Sequence, residues 1–321
     1  MKKLLSVLFA VLLVIGLTGC SGSEQEEETI VEENTSTWVY EGVGYDALYE
    51  SLGKVDLDLS DADGLLKEIL EKGEIVMATS PDYPPMEFPD MVTGEIKGAD
   101  VLLAKYIANS LGVELKIESM EFGAVITSID TGKADIALSG LGYKEDRAEN
   151  YEMSHGYQSD SSAAHHTILV AADKLDEYNS LADFAGKTVY AQANSLQEGY
   201  VQKQLVEVYG TTMELYQDIN VALTELYNGT IEAIAFDSTT AINYANTSGG
   251  KLASLYVEKG IEFDLSAEEM YSGNVCLVKK GETSLINAIN TIIDAMLETD
   301  LYQQMYYAAC DASGVDPTTE E

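Results

Sequence analysis

Apolar positions along the chain follow two alternating periods from residue 73 onward. Glu74–Thr79 is an apolar-rich run that predicts a buried strand, and residues 101–111 carry apolar side chains at helical spacing. Residues 113–117 then alternate as another strand. Strands that alternate with helices favour a mainly parallel sheet with helices on its faces. The pattern therefore predicts an α/β fold.

Two predicted helix starts depend on residues that are suited to capping. Ser60 is a candidate N-cap, with Asp63 three residues later, for a helix that ends at Gly73. Asp100 is the candidate cap of the helix that ends at Gly112. The acidic residues around Ser60 lack the spacing of a calcium-binding EF-hand loop, so a capped helix is the preferred interpretation.

The strand–helix pattern occurs twice. Residues 131–137 and residues 228–234 each end a helix at a glycine, take a polar step and open a buried strand. A unit used twice predicts two similar lobes. Two amphipathic helices at residues 283–298 and 301–309 have no sheet of their own, so we expect the chain to return to the first lobe. It would then cross between the lobes twice, through a two-strand hinge.

The N-terminus has the pattern of an export signal. Lys2 and Lys3 precede an apolar run, residues 4–17, that is too short for a good membrane span. The run ends in Leu-Thr-Gly-Cys, which resembles the bacterial lipobox, whose cysteine becomes the lipidated first residue of the mature protein. Here that residue is Cys20. We therefore expect an extracytoplasmic protein that is anchored by lipid to the outer face of the cell membrane.

These features divide the chain into six parts. They are a lipoprotein signal peptide (1–19), an acidic flexible tether (20–37), an N-terminal extension with one helix (38–72), the first part of lobe 1 (73–164), lobe 2 (165–265), and the return to lobe 1 with the C-terminal helices (266–321). The tether is rich in Ser, Thr, Asn and Glu and cannot bury a core.

Charge narrows the range of partners. The 321 residues include 18 Lys+Arg and 55 Asp+Glu, which gives a formal net charge of -37. Such a surface disfavours nucleic acid and anionic lipid as partners. The two cysteines that remain after Cys20 are Cys276 and Cys310. Export permits a disulfide between them, and two unlinked core thiols fit equally well.

One stretch, residues 134–147, carries the clearest binding chemistry. It reads ADIALSGLGYKEDR, which is a short strand, a run of small residues and one arginine, Arg147. Small residues such as Gly140 and Gly142 let backbone N–H groups approach a ligand, and a guanidinium binds a carboxylate bidentately. An anion cradle is one interpretation; a strand, a turn and a surface arginine is the other.

Four segments together resemble a known family. Residues 82–100 are similar to the opening loop and first helix of the amino-acid-binding solute receptors of bacterial ABC importers. Residues 132–147, 192–198 and 231–237 resemble that family's carboxylate-binding stretch, second-lobe ligand loop and acid-bearing strand. On this resemblance the chain is identified as a family 3 solute-binding lipoprotein. The implied fold is the type II periplasmic-binding-protein fold, α/β and two-lobed, with each lobe a mixed sheet flanked by helices.

The resemblance implies a role for each matching residue. Arg147 corresponds to the residue that binds the ligand α-carboxylate, and Asp237 to the carboxylate that takes the α-ammonium. Tyr83 and Phe122 correspond to aromatic walls. Asp237 also fits a helix cap, and both aromatic residues also fit an ordinary core. The full set of implied ligand-binding residues is Tyr83, Phe122, Ser139, Gly140, Gly142, Arg147, Ser195, Leu196 and Asp237.

Four places depart from the family pattern, and one of them is His155-Gly156, which stands where an acidic or small polar residue and a proline are frequent. Gly142 stands where a hydroxyl side chain is usual, Lys144 where threonine is common, and Asn194 where glycine is usual. The missing hydroxyl weakens the expectation of the standard carboxylate geometry. Lys144 either supplies a compensating charge or points to solvent.

A free amino acid is a zwitterion, and a buried zwitterion needs a partner for each charge. Arg147 on one lobe and Asp237 on the other would supply both partners, so the ligand would favour the closed form that a permease recognises. The acidic residues Asp82, Glu87 and Glu121 favour a polar or basic amino acid. The resemblance implies a monomer with no cofactor, no metal and no nucleic-acid partner.

Two other functions stay open. Related folds include dehydratases that act on prephenate- or arogenate-type acids, and these need a general acid such as Glu87, Glu121 or Asp237. A surface adhesin or sensor domain without a transport role is the other alternative. A non-enzymatic role is preferred because the sequence shows no Ser/His/Asp or Cys/His set.

Overall fold

Two β-sheets, each flanked by helices, form the body of the protein in the computed structural model, which describes residues 38–157, 165–266 and 273–317. The predicted signal peptide, tether and lipidation site Cys20 lie outside the described residues. Within the described ranges, no helix is long and apolar enough to cross a membrane.

The strands are short and fall into two groups along the chain. In chain order they are β1 (Glu74–Thr79), β2 (Phe88–Pro89), β3 (Ile96–Lys97), β4 (Glu114–Ser119), β5 (Ile136–Ala137), β6 (Tyr151–Met153), β7 (His166–Ala171), β8 (Thr188–Gln192), β9 (Thr212–Tyr216), β10 (Ala233–Asp237), β11 (Leu252–Ser254) and β12 (Leu277–Lys279). The predicted strand of 74–79 is confirmed to the residue.

Each lobe contains one five-stranded mixed sheet. The sheet of lobe 1 has the order β4-β1-β5-β12-β6, in which β1 runs parallel to β4 and β5 while β12 runs antiparallel to β5 and β6. The sheet of lobe 2 has the order β11-β7-β10-β8-β9, in which β8 runs parallel to β9 and β10 while β7 runs antiparallel to β10 and β11. The predicted two-lobed α/β fold is confirmed.

The C-terminal part returns to lobe 1, as expected. β12 lies between β5 and β6, so the chain crosses from lobe 1 to lobe 2 after β6 and crosses back before β12. Residues 158–164 and 267–272 of these two crossings, where the two-strand hinge was expected, lie outside the described residues.

Helices cover both sheets. They span Tyr45–Ser51, Gly64–Lys72, Ala99–Leu111, Phe122–Asp130, Glu145–Asn150, Leu196–Tyr200, Glu207–Tyr209, Ile219–Tyr227, Ser238–Thr247, Leu255–Lys259, Thr283–Leu297 and Leu301–Ser313, with 3₁₀ turns at Ala172–Glu177 and Leu181–Phe184 and a π-helical segment at Val201–Val206. Gly73 and Gly112 end their helices in the left-handed conformation, as predicted, because glycine adopts a positive φ without strain.

Both predicted helix starts are wrong by one turn or less. The helix predicted from Ser60 begins at Gly64, with Asp63 in the N-cap position. The helix predicted to be capped by Asp100 begins at Ala99, with Gly98 in the N-cap position. The carboxylate of Asp100 instead bonds to groups far away in sequence, which a local capping rule does not consider.

Burial of β1 on both faces explains why its residues are apolar at successive positions, with no alternation of apolar and polar side chains. Ile75 and Met77 point into one apolar cluster of lobe 1, and Val76 and Ala78 point into another on the opposite face. A strand covered on both faces is apolar throughout. Cys276 and Cys310 are buried in lobe 1 and no disulfide joins them.

The N-terminal extension is part of lobe 1. Tyr45, Leu48 and Leu52 are buried in its main apolar cluster. The hydroxyl of Tyr45 donates to the carbonyl of Gly98 at 3.1 Å and accepts from its N–H at 2.9 Å. Trp38 packs against Tyr307 of the last helix, with 5.9 Å between ring centroids.

Tyr45→Phe removes the acceptor of the Gly98 N–H and leaves that buried N–H unsatisfied, whereas the Gly98 carbonyl keeps the N–H of Leu102 as a donor at 3.1 Å. We expect the free energy of unfolding to fall by about 1–3 kcal/mol, measured by urea denaturation. Tyr49→Phe, in the same helix and only partly buried, is the matched control. Equal small effects in both variants would contradict a structural role for this hydroxyl.

Candidate ligand-binding cleft

A cleft lies where the carboxyl ends of strands from both lobes meet. β1 and β5 end at Thr79 and Ala137, β8 and β10 end at Gln192 and Asp237, and residues at or just beyond these ends line the cleft. Ligands of α/β sheets bind beyond the carboxyl ends of strands. The cavity in the cleft measures about 110 Å³, several times the ~10–15 Å³ that one water needs.

The residues predicted to contact the ligand all lie on the wall of this one cleft. Lobe 1 contributes Tyr83, Phe122, Ser139, Gly140, Gly142 and Arg147, and lobe 2 contributes Ser195, Leu196 and Asp237. Sequence patterns did not identify several further lining residues, which are His166, Gln192, Gln197, Tyr216, Ile219, Phe236, Thr239, Thr240, Asn274 and Tyr306. Position in the chain could have indicated some of them, because Gln192 and Gln197 lie within the segment 192–198, and Phe236 within the segment 231–237, that resemble ligand-contacting parts of the family.

Arg147 lines the cleft and is only 4% exposed. Its Nη1 donates to the carbonyl of Gly142 at 2.8 Å, and its Nη2 donates to the carbonyl of Asn194, on lobe 2, at 2.9 Å. Its Nε is buried and no described residue accepts from it. The interpretation of Arg147 as a surface arginine is therefore wrong, because its guanidinium is enclosed between the lobes.

Burial lowers the pKa of Arg147 to about 10, so the guanidinium stays charged at neutral pH. Its described hydrogen-bond acceptors are both neutral carbonyls, which leaves a buried positive charge with a free donor. A carboxylate is the group that best satisfies such a guanidinium. The Phe122 ring lies beside it, 5.9 Å from centroid to Cζ.

Asp237 is a helix cap, one of the two roles considered from sequence, and its position also agrees with the other. It is the N-cap of helix Ser238–Thr247, and its Oδ1 accepts from the N–H of Thr240 at 2.8 Å. It also lines the cleft, where burial and then the charge of Asp237 raise the pKa of Tyr83 well above its ordinary value. The cap fixes the carboxylate rigidly at the end of β10.

Two glycines allow close contacts in the cleft. Gly140 has a φ of +54°, and a Cβ there would lie 2.6 Å from the ring of Tyr83. A Cβ at Gly142 would lie 2.8 Å from Cδ1 of Leu196, which belongs to lobe 2. Leu196 therefore occupies the space of the hydroxyl side chain that the family pattern has at position 142.

The two serine hydroxyls of the cleft are both used within the protein. Ser139 donates to Glu87 at 3.0 Å and accepts from the N–H of Ser80 at 3.0 Å. Ser195 caps helix Leu196–Tyr200, since its hydroxyl accepts from the N–H of Glu198 at 3.1 Å. These hydroxyls shape the cleft loops.

A further polar contact joins the lobes. The amide of Gln192 donates to Oδ2 of Asp82 at 2.9 Å, and the hydroxyl of Ser80 donates to Oδ1 at 2.9 Å. Burial raises the pKa of Asp82 to about 6 in spite of these two donors. Asp82 is thus a cleft carboxyl whose described partners are neutral.

Lys144 does not line the cleft. Its ammonium forms an ion pair with Asp146 at 3.4 Å, so the second of the two sequence interpretations is closer to the observed position. Within the described parts of the chain, no cluster of His, Cys, Asp and Glu could hold a metal ion.

The fold and the cleft define a two-lobed binding protein with a charged site between its lobes. The chain belongs to the bacterial extracellular solute-binding proteins, family 3, which residues 75–308 match. This result confirms the family resemblance found in the sequence.

Known relatives bind amino acids. The chain is 31% identical over 173 residues to the arginine-binding extracellular protein ArtP of Bacillus subtilis (strain 168), across 54% of this chain and 64% of the relative. It is 22% identical over 298 residues to the L-cystine-binding protein TcyA of the same organism, across 93% of each chain. The match to ArtP thus spans slightly less than two thirds of that protein.

The fold also matches a solved structure. A Streptococcus pneumoniae Canada MDR_19A amino acid ABC transporter substrate-binding protein, bound to L-arginine, superposes with a TM-score of 0.67 at 29% identity, covering 77% of this chain and 98% of its own.

The two cleft glycines differ in what alanine would cost. Gly140→Ala combines a strained φ with a contact against the Tyr83 ring, so we expect a loss of about 1–3 kcal/mol in the free energy of unfolding. Gly142→Ala meets only the mobile end of Leu196 and should cost less than about 1 kcal/mol. Urea denaturation of both variants checks this order, and a larger loss at position 142 would contradict it.

Proposed function

We propose that the protein captures a free amino acid with a polar or basic side chain by closure of its two lobes, and delivers it to an ABC transporter permease. Arg147 binds the α-carboxylate and Asp237 the α-ammonium. The observation that carries this proposal is the buried, charged guanidinium of Arg147 with a free Nε donor.

The arrangement of opposite charges explains how binding and closure are coupled. Arg147 belongs to lobe 1 and Asp237 to lobe 2, so a zwitterion has a partner for each charge only when the lobes lie together. Arg147 of lobe 1 already donates a hydrogen bond to the carbonyl of Asn194 on lobe 2 at 2.9 Å, so groups of the second lobe lie within hydrogen-bonding distance of this guanidinium. Closure also removes water, which strengthens both ion pairs.

The preference for a polar or basic ligand side chain follows from the excess of carboxyl groups over cationic groups in the cleft. After Arg147 and Asp237 are paired with the ligand, Asp82 remains as a buried carboxyl whose described donors are neutral. A cationic side chain would give it an ion partner. Tyr83 and Phe122 add apolar area and, for a cation, a favourable ring face. The arginine-binding relatives agree with this preference.

The remaining parts of the proposal concern position in the cell. Residues 1–19 act as a signal peptide, Cys20 carries the lipid anchor, and 20–37 form the tether. Lobe 1 then comprises 73–164 and 266–321, with the N-terminal extension 38–72 packed into it, and 165–265 is lobe 2. The protein acts as a monomer at the outer face of the membrane, which supports delivery to a permease.

A thermal-shift panel of the free amino acids tests the proposed ligand class. A ligand that binds only the folded chain raises the melting temperature by mass action, and we expect L-arginine and other basic or polar amino acids to do so. Arg147→Ala should lower ligand affinity at least about 100-fold, which is about 3 kcal/mol, because the carboxylate loses its ion partner.

Lys144→Ala is the matched control, since it removes a cation three residues away that lies outside the cleft. Its affinity should equal that of wild type. Tight binding by Arg147→Ala, or no stabilisation of wild type by any amino acid, would contradict the proposal. Turnover of a prephenate-type acid would instead support the dehydratase alternative.

Asp82 predicts a pH dependence with a defined sign. Its pKa is raised from 3.8 to about 6, so its ionisation disfavours the ligand-free closed form as pH rises through about 6. A ligand with a cationic side chain favours ionisation of Asp82 in the closed form, because its charge pairs with the carboxylate. Calorimetry from about pH 5 to about pH 8 should show affinity for arginine rising several-fold, with no such rise for glutamine.

Asp82→Asn should remove the difference between the two ligands. If arginine affinity is flat across this range in wild type, or if the variant keeps the rise, Asp82 does not contact the ligand side chain.

A further inference from the structure

Two carboxyl groups lie side by side at the base of the cleft without a cation to offset them. Glu87 and Asp100, the acid pair, are both 0% exposed, and Glu87 lines the cleft itself. The main influences on the pKa of each carboxyl are burial, hydrogen bonds and other carboxyl groups, with no lysine or arginine of the described ranges among them. Two buried negative charges would cost more than a marginally stable domain can offset, so the pair needs another form of compensation.

The backbone brings the acid pair together through an unusual glycine. Gly98 has a φ of +141°, and a Cβ there would lie 2.0 Å from the carbonyl oxygen of Met86. This close approach lets the N–H of Asp100 donate to that carbonyl at 3.0 Å. Asp100 is thereby held against the residue that precedes Glu87.

The hydrogen bonds differ between the two carboxyls. Asp100 accepts at both oxygens, from the N–H of Gly140 at Oδ2 and from the hydroxyl of Tyr157 at Oδ1, each at 2.8 Å. Glu87 accepts at Oε1 from the hydroxyl of Ser139. Its Oε2 is buried, and no N–H or O–H group of the described residues reaches it. Asp100 is arranged as a carboxylate, and a proton fits on Oε2 of Glu87.

We propose that Glu87 keeps its proton at neutral pH and donates it to Asp100, and that this shared proton positions Ser139 and Gly140 in the carboxylate-binding segment. A hydrogen bond between two carboxyls requires one of them to be neutral. The pair then carries a single negative charge, which the donors to Asp100 stabilise. The positioning role rests on the proposed function, whereas the protonation state does not.

The surroundings favour retention of the proton. Burial raises the pKa of Glu87 well above its ordinary value, and the negative charges of Asp100 and Asp82 raise it further. Burial also raises the pKa of Asp100, to about 6. The other titratable groups that face the pair are ordinarily neutral at pH 7, namely Tyr83, Tyr157, the adjoining Tyr302, and Cys276.

The acid pair binds two consecutive residues of the carboxylate-binding segment, Ser139 and Gly140. Ser139 is fixed between the acid pair and the N–H of Ser80, which ties it to the loop after β1. Gly140, at a positive φ, is fixed by its N–H on the pair. Both residues lead into Arg147. Loss of the proton would place two adjacent negative charges behind this segment and force its loops apart.

Paired substitutions test the assignment of the proton. Glu87→Ala removes the donor and should reduce arginine affinity at least about tenfold. Glu87→Gln should recover most of that loss, because its amide supplies the donor and the acceptor of a protonated carboxyl. Asp100→Asn should have low arginine affinity, as Glu87→Ala does, because the new amide N–H faces either the Gly140 N–H or the Tyr157 hydroxyl. The melting temperature of Asp100→Asn should fall by about 5 °C. Glu114→Gln, at an exposed glutamate, is the control.

A pH series separates a shared proton from a contact that is only structural. A group whose folded pKa is raised above its ordinary 4.5 contributes stability that is complete at lower pH and is lost as pH rises through the folded pKa. We expect the urea midpoint of wild type to fall as pH rises above neutral, and to fall less in Glu87→Gln. Equal slopes would overturn the proposal.

Infrared difference spectra of wild type against Glu87→Gln at neutral pH need no ligand. A protonated carboxyl has a C=O band separate from the carboxylate bands, and we expect wild type to show it and the variant to lose it. Absence of the band in wild type overturns the proposal, whatever the variants do. If wild type binds no amino acid while the band is present, the proposed function fails and the shared proton stands.

Discussion

The burial of one guanidinium between two lobes is the constraint on which the rest of the cleft depends. Arg147 is enclosed, stays charged and is bonded to the carbonyl of Gly142 on its own lobe and that of Asn194 on the other. Neutral carbonyls orient a cation without neutralising it. The short segment between β5 and Arg147 must therefore be rigid enough to keep the guanidinium aimed at the cleft, and this accounts for its two glycines and its anchored serine.

The acidic groups of the cleft and its base have similar chemistry and different environments. Asp237 is fixed by the first turn of a helix, Asp82 accepts from donors on both lobes, and Asp100 accepts at both oxygens from Gly140 and Tyr157. Glu87 has one oxygen with no donor from the described residues. The environment of each carboxyl, rather than its residue type, thus sets whether it carries charge at neutral pH.

Much of this arrangement could be predicted from local pattern, since β1 and the glycine-ended helices follow from spacing alone. The family resemblance brought together nine residues that line the cleft and are spread along the chain. What local pattern missed depends on distant contacts. Asp100 has the position of a helix cap, yet it bonds to Gly140 and Tyr157. Leu196 fills the space above Gly142 only because the lobes meet. β12 runs antiparallel because it arrives from the other lobe.

The packing of the N-terminal extension has a mechanical consequence. Tyr45 is bonded to Gly98 and its neighbours are buried in the core of lobe 1, so residues 45–52 belong mechanically to that lobe. In the closure proposed above, a support attached at residue 38 would therefore hold lobe 1 still. Lobe 2, which is connected only through the two crossings, would then be the part that moves, and its outer face would travel farthest.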